Sequence, residues 1–555
     1  MEFHTYPSTC AFKSIEDIKD KHLTIMGLGL NGGGEAAVRF FLKHGAFVLV
    51  TDMKTKDQLQ TTIDSLEKDE TLDKSRLTYR LGEHKIEDFE NADCVIKNPG
   101  VKFAGNKYLA AAKAIETDLS IFLRFTNAPI IAVTGSKGKS STVSAIHYGL
   151  KTAGYKCFLG GNITVSPLTF FDEVTEDTPV VIEFSSWQLA DLRGRGVLKP
   201  HIAIITKIVP DHQNWYGNME DYVADKRLIY ADQTKGDYSI FDADGDEIGT
   251  GPKCGGTWGD LFASETKGTV LRYSKNAFET EASNSSKKAA ETKGGDSDGS
   301  TDTGRALRKY GVWQDKDSDG SFCGKILLPQ MEKPEIILRE LTVPGEHMKT
   351  NVLNAAMVMY LMGVPSEKII SICKSFGGIE HRLQFFHSWE CNGIKYNFYN
   401  DSCATVPEAA GAAIRAFDKP VIFITGGTDK GLELTPLAQE LAAKKGVPEK
   451  LYLLQGSATS KLTPDLDKAS IKYEGPFGSL TELLGKLKAD LEGTADESIN
   501  EHFCKTDATG GSTNSKSADK CEKVIVFSPG ATSFGMFKNE FDRGKQFMDG
   551  VKNIF

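Results

Sequence analysis

Pro129-Ile-Ile-Ala-Val-Thr134-Gly135-Ser136-Lys137-Gly138-Lys139-Ser140-Ser141 decides the class of fold. A short apolar run that ends in a glycine turn reads as a buried strand of a parallel sheet. Thr142 to Ala153 reads as a helix, closed by Gly154. Between strand and helix, Gly138-Lys139-Ser140 has the setting of a phosphate-binding loop. There, backbone N–H groups cradle phosphates, a lysine neutralises their charge, and a hydroxyl holds Mg²⁺. The strict motif wants glycine five residues before Gly138. Val133 stands there, and the nearest glycine is Gly135. Two readings stand: a compact variant of the loop, or a lysine-rich turn without a ligand.

Upstream, His22–Met26 reads as a strand and runs into Gly27-Leu-Gly29-Leu-Asn31-Gly32-Gly33-Gly34. A helix follows from Glu35 to His44, then the strand Phe47–Asp52, and later the strand Cys94–Lys97 before Asn98-Pro99-Gly100. Gly27-x-Gly29-x-x-Gly32, with Asp52 about 20 residues on, matches a dinucleotide fingerprint. The glycines admit a pyrophosphate close to the backbone, and the helix start offers unpaired N–H groups. The signal says diphosphate nucleotide better than it says NAD. The same stretch also fits a tight strand–helix turn with no ligand.

Downstream, strands are expected at Pro179–Phe184 and His201–Lys207. Glu183 ends the first, within Glu183-Phe-Ser185-Ser186-Trp187-Gln188-Leu189, and Asp211-His212 follows the second. Polar residues at the carboxyl ends of parallel strands face the ligand crevice. A carboxylate and an imidazole behind a phosphate loop can hold Mg²⁺. Taken singly, each reads as a surface or capping residue. A third unit from about Gly377 has strands at Val421–Thr425, Lys450–Leu454 and Val524–Phe527. The expected fold is therefore α/β in three domains. These are a Rossmann-like first domain over 1–126, a central P-loop domain over 127–376, and a Rossmann-like third domain over 377–555. Two low-complexity inserts, about 283–305 and 496–521, read as disordered or surface loops.

Composition sets the outer limits. The 555 residues carry a net charge of −9 and a pI of about 5.8, against the basic bias of a general nucleic-acid binder. No apolar run approaches the roughly 18 residues of a membrane span. The stretch Met1 to Pro7 lacks a basic region followed by an apolar one, so no secretory signal is expected. The 10 cysteines are scattered without a CxxC pair, which predicts free thiols in a reducing cytoplasm. Asp315-x-Asp317-x-Asp319-Gly320 starts like a Ca²⁺ loop, but Ile326 stands where a bidentate Glu is required. A polar turn is expected instead.

Taken in order, these pieces resemble the Mur ligases, in particular the branch that adds D-glutamate. The family's short loop Thr-Gly-[Ser/Thr]-x-Gly-Lys-[Ser/Thr] is met by Thr134 to Ser140. Gly161-Asn162-Ile163, Glu183 to Leu189, Asp211-His212 and Tyr222 to Tyr230 follow. So do Gly345-Glu-His347 with Asn351, His381-Arg382, Asn400-Asp401-Ser402 and Gly426 to Lys430. Ser528 to Asn539 looks specific to the D-glutamate branch. The sequence departs from the pattern at Met348 (often Asn), Cys403 (often Lys) and Thr164 (usually Gly). The register of the glutamate-contacting aromatic is blurred at Glu540-Phe541.

The resemblance implies a cytoplasmic ligase of peptidoglycan precursor synthesis that activates a carboxylate as an acyl phosphate. Lys139, Glu183, His212 and Lys226 would be catalytic. ATP would be held by Gly135, Ser136, Lys137, Gly138, Lys139, Ser140 and Ser141, with Asn351, Arg382 and Asp401. Two Mg²⁺ ions would sit on Ser140 with Glu183, and on His212 with a carbamylated Lys226. The first domain would bind UDP rather than NAD. Gly29, Asn31, Asp52 and Asn98 would face the nucleotide, and Asn162, Ser185 and Gln188 the muramoyl-alanine. Thr405, Lys430 and Ser533 would meet D-glutamate. Partners would be small molecules, with no nucleic acid and no membrane, and the chain a monomer whose third domain closes on substrates. Alternatives are a ligase for another amino acid, a non-catalytic nucleotide sensor, and a nicotinamide dehydrogenase. The last leaves Lys139, Glu183 and His212 unexplained.

Overall fold

The structure is a computed structural model. It describes residues 3–29, 32–163, 165–246, 249–278, 310–417, 419–443, 448–493 and 521–555. Asn31, Thr164 and the two inserts lie outside the described residues, except Cys521, which opens a strand. The described chain forms two compact units. One comprises Met1–Glu340 and Lys349–Lys374, the other Leu341–Met348 and Ser375–Phe555.

The first unit holds two sheets. β1 (His22–Met26), β2 (Phe47–Asp52), β3 (Leu77–Leu81), β4 (Cys94–Lys97) and β5 (Ile115–Glu116) pair in the order β3-β2-β1-β4-β5. All the pairings are parallel. The order reverses between β1 and β4, so Gly27 to Gly29, which follow β1, and Asn98, which follows β4, flank the switch point where such sheets take ligands. The expected bounds of β1, β2 and β4 are met in full.

The second sheet is larger. β6 (Ile130–Thr134), β7 (Phe158–Gly161), β8 (Val180–Glu183), β9 (Ile202–Ile205), β10 (Tyr238–Asp242), β11 (Thr269–Ser274), β12 (Gly311–Lys316), β13 (Phe322–Leu327) and β14 (Glu335–Leu338) run β14-β13-β12-β11-β10-β9-β6-β8-β7. β6 lies between β8 and β9, buried along its whole length. The residues after all three therefore emerge at one edge. β12 to β14 form an antiparallel wing. The Asp315–Gly320 stretch is the turn of its first hairpin, with Asp315 paired to Lys325 at 2.9 Å and Asp317 to Arg339 at 2.6 Å.

The second unit carries β15 (Gln384–Cys391), β16 (Ile394–Asn400), β17 (Val421–Gly426), β18 (Lys450–Leu454), β19 (Glu474–Phe477) and β20 (Cys521–Phe527), ordered β15-β16-β20-β17-β18-β19. Only β15 pairs antiparallel. Apolar clusters pack both faces of this sheet, one around Phe423 and Leu453, the other around Ile424 and Phe527. The α/β class with three sheets is as the sequence predicts. Among the described residues no helix is long and apolar enough to cross a membrane.

Candidate active site

The turn after β6 runs directly into the helix Lys139–Ala153, which starts three residues earlier than the sequence pattern suggests. Gly138 caps it with φ +94°, a left-handed backbone that glycine adopts without strain. No side-chain hydrogen bond caps this helix start, which leaves N–H groups for an anion. The Ser136 and Lys137 amides are spoken for: both donate to Lys207 O, at 3.0 and 3.2 Å. Ser136 Oγ meets Tyr222 Oη at 2.9 Å. These bonds pin the loop to the segment that follows β9.

Two lysines converge on this loop. Lys139 Nζ donates to Gly135 O at 2.9 Å and Ser136 O at 3.2 Å. Lys226, buried at the end of the helix Met219–Lys226, donates to the same Gly135 carbonyl at 3.1 Å. Its ammonium lies 4.5 Å from the centre of the Tyr222 ring. Burial, then the Lys139 charge, pulls the Lys226 amine down to about 7. Burial lowers Lys139 as well. A neutral amine is therefore within reach at neutral pH.

Glu183 ends β8, 1% exposed. Its Oε1 accepts from Asn162 Nδ2 at 2.7 Å. Its Oε2 is buried without a hydrogen-bond partner. A carboxylate oxygen left so is costly unless a cation meets it. Gly161 makes the Asn162 approach feasible: a Cβ there would stand 2.2 Å from Glu183 O. His212 has a left-handed backbone, φ +50°, and its ring lies 5.1 Å from Trp187 and 6.2 Å from Tyr222. Asn351 is buried against the loop, where a Cβ on Gly138 would stand 2.6 Å from Asn351 Oδ1.

This arrangement fits a nucleotide with Mg²⁺. Its donor set is a hydroxyl at Ser140, one orphaned carboxylate oxygen, an imidazole, and two amines, Lys226 buried and Lys139 half-buried. Among the described residues no group of three or more His, Cys, Asp or Glu gathers to hold a metal alone. A cation here would need phosphate oxygens to complete its shell, as Mg²⁺ at phosphate loops does.

The other expected contacts in this unit are engaged within the fold. Asp52 Oδ2 accepts from Leu28 N at 3.0 Å and Gly29 N at 3.2 Å, and Oδ1 from Lys54 N at 2.9 Å. Asn98 Oδ1 accepts from Gly100 N at 3.0 Å. Ser185 and Gln188 form a reciprocal cap on the helix Ser186–Ala190.

The second unit gathers its own set. Asp401 Oδ1 accepts from Leu383 N at 3.1 Å and Oδ2 from Ser528 Oγ at 2.6 Å. Burial pushes its carboxyl up to about 6. Cys403 N donates to His381 O at 2.9 Å; burial pushes the Cys403 thiol up, and the neighbouring Arg382 charge opposes that. A cation therefore stands beside the position where the family often has lysine. Thr405 is half-buried, Ser533 buried and Lys430 exposed. Phe534 and Phe541 are exposed.

Sequence reasoning missed Arg543. Its buried guanidinium donates to Ser402 Oγ at 3.0 Å, Ser402 O at 2.7 Å and Ala531 O at 2.9 Å. It thereby ties the loop bearing Cys403 and Thr405 to the loop bearing Ser533. No motif marks it. It also missed Asn162 as the partner of Glu183.

Comparison with known proteins agrees with this geometry. The family model described as Mur ligase middle domain matches residues 133–359, and that described as Mur ligase MurD-like, N-terminal domain matches 21–119. A UDP-N-acetylmuramoylalanine--D-glutamate ligase of Treponema pallidum is 38% identical, covering 97% of this chain and 98% of the relative. Ligases of the same name from Borreliella burgdorferi and a Roseiflexus species are 34% and 31% identical, each covering 96–97% of this chain and 99% of theirs. The phosphate loop, the orphaned carboxylate and the near full-length likeness agree: this chain belongs to the Mur ligase family.

Proposed function

We propose that this chain joins D-glutamate to UDP-N-acetylmuramoyl-L-alanine at the expense of ATP, in peptidoglycan precursor synthesis. The observation that carries the reading is the buried, unpartnered Glu183 Oε2 beside a phosphate loop with two converging lysines. The near full-length relatives carry that activity in their names.

The chemistry sets the requirements. A carboxylate does not react with an amine because oxide is a poor leaving group. An oxygen of the alanyl carboxylate attacks the γ-phosphorus of ATP, and ADP leaves. The amine of D-glutamate, having lost a proton, attacks the resulting acyl phosphate. Inorganic phosphate departs from the tetrahedral intermediate, and an amide remains. Positioning and cationic charge do most of this work. Lys139 stabilises the β/γ-phosphate charge. Ser140 and Glu183 would hold one Mg²⁺, and His212 with a carbamylated Lys226 would hold a second. When bound, such an ion would supply Lewis acidity to the phosphoryl transfer. As a bare ammonium Lys226 would repel that ion. Its burial against Tyr222 and its lowered basicity favour reaction of the neutral amine with CO₂, giving an anionic ligand.

Gly29, Asn31, Asp52 and Asn98 serve the UDP end, and Asn162, Ser185 and Gln188 the muramoyl-alanine side. Asn351, Arg382 and Asp401 serve ATP, and Thr405, Lys430 and Ser533 D-glutamate. We assign the reaction to the cytoplasm, where ATP is held, and treat the working form as a monomer. The test is phosphate release from ATP with the UDP-linked substrate and a panel of amino acids. Release with another amino acid would move the specificity, and no release would leave a nucleotide sensor.

A further inference from the structure

Residues 3–12 precede β1 and cross between the two sheets of the first unit without helix or strand. On the large-sheet side, Tyr6 N donates to Arg193 O at 2.9 Å, and Tyr6 Oη donates to Asp191 Oδ1 at 3.2 Å. The guanidinium of Arg193 lies 4.4 Å from the Phe3 ring centre, and that of Arg195 lies 4.1 Å from the Tyr6 ring centre. On the small-sheet side, the His4 ring stacks on Phe103 at 3.5 Å, and Arg124 donates to Ser8 O at 2.9 Å. The seat is built for this strap. Gly194 has φ +82°, and a Cβ there would stand 2.5 Å from Thr5 Cγ2 and 2.6 Å from Tyr6 O.

Beneath the strap is a seam of buried charge. Lys97 Nζ donates to Asp191 Oδ2 at 2.8 Å and to Asn98 O at 3.1 Å. Arg195 pairs with Glu116 Oε2 at 2.8 Å and donates to Ile115 O at 2.7 Å. Lys97, Glu116, Asp191 and Arg195 are all buried. Lys97 and Glu116 come from the small sheet, Asp191 and Arg195 from beside the large one. Buried ion pairs add little net stability, yet any docking that separates them leaves uncompensated charge.

The ends of this seam are the point. Lys97 immediately precedes Asn98-Pro99-Gly100, the turn assigned above to the UDP end of the substrate and taken here as its diphosphate-binding turn. Asp191 closes the helix Ser186–Ala190, which begins just after Glu183. We propose that Lys97 and Tyr6, through Asp191 and the strap, are positioning residues that hold the diphosphate-binding turn in register with the Glu183 metal-binding turn. The functional roles of those two turns rest on the reading under Proposed function; the mechanical coupling does not.

Two measurements on the full chain test it, using Tyr6→Phe, Tyr6→Ala, Lys97→Met and Lys97→Arg. The first is hydrogen exchange of the segments 98–105 and 186–196. At least fivefold faster exchange is expected in both segments together for Tyr6→Ala and Lys97→Met. The β6 strand and phosphate loop should not change, and Lys97→Arg should restore protection. The second is kinetics. The KM for UDP-N-acetylmuramoyl-L-alanine should rise about 5- to 20-fold, with the KM for ATP within twofold, and Tyr6→Phe should fall between wild type and Tyr6→Ala. Unchanged exchange, loosening of one segment only, or equal loosening of the phosphate loop would overturn the proposal. So would a parallel rise in both KM values. A wild-type chain inactive toward that substrate would sink the ligase reading instead, and the exchange data would still decide the seam.

Discussion

Asn162 donates its side-chain amide to Glu183 Oε1 at 2.7 Å and its backbone N–H to Glu183 O at 2.8 Å. One residue thus aims the carboxylate and leaves its second oxygen bare. Groups that orient a metal ligand commonly affect metal affinity by 10- to 100-fold. Asn162→Ala is accordingly expected to raise the Mg²⁺ concentration for half-maximal activity by about tenfold. Titrating Mg²⁺ at saturating substrates checks this. A change confined to the KM of the UDP-linked substrate would return Asn162 to a purely substrate-facing role.

Lys226 faces the same loop carbonyl as Lys139. If its working form is a carbamate, Lys226→Ala lowers kcat by about 10²- to 10³-fold, the order expected for loss of a charge-stabilising group. Short carboxylic acids should restore part of the rate to the variant. Wild type assayed in CO₂-depleted buffer should slow, and bicarbonate should reverse that. A variant that no small acid rescues, with a wild type indifferent to CO₂, would leave Lys226 a simple cation.

Asp401 provides a pH test in the second unit. An unfolded aspartate titrates near 3.9, whereas burial raises the folded group to about 6. Between those values the folded chain holds more protons than the unfolded one, so stability falls as pH rises, and the full cost stands above pH 6. Asp401→Asn removes that cost, worth up to about 3 kcal/mol at neutral pH. In urea unfolding, the variant's advantage over wild type should be larger at pH 7.5 than at pH 4.5. An equal difference at both would show that burial does not raise the carboxyl.

Arg543 secures three oxygens on two loops. Arg543→Met strands buried carbonyls, at about 1–3 kcal/mol each, and should lower the thermal midpoint. Arg543→Lys keeps the charge but cannot span both loops. It is expected to raise the KM for D-glutamate at least tenfold while the KM for ATP stays within twofold. Steady-state kinetics with each substrate varied in turn would decide it.

The sequence is most legible where structure is local. β1, β2, β4 and β18 are short, mostly apolar runs stopped by glycine or polar turns, and their bounds match residue for residue. The helix at Lys139 starts earlier than the pattern suggests because Gly138 supplies the left-handed cap within the loop itself. The antiparallel strands β12 to β15 escaped notice because their apolar alternation is broken by residues such as Gln314, Asp315 and His387. Candidate site residues were legible as ordered motifs, since chemistry fixes their spacing. Their partners were not. Tyr6 meets Asp191 and Arg543 meets Ser402 across 185 and 141 residues, distances over which no spacing rule operates. Asn162 was visible as a motif, but its bond to Glu183 depends on β7 lying beside β8.

The most direct test is phosphate release from ATP by the full chain with Mg²⁺ and UDP-N-acetylmuramoyl-L-alanine, D-glutamate being present or replaced in turn by other amino acids. The expected result is release that depends on both the UDP-linked substrate and D-glutamate, and that is lost on Glu183→Gln. Release driven by a different amino acid, or none with any of them from folded protein, would contradict it.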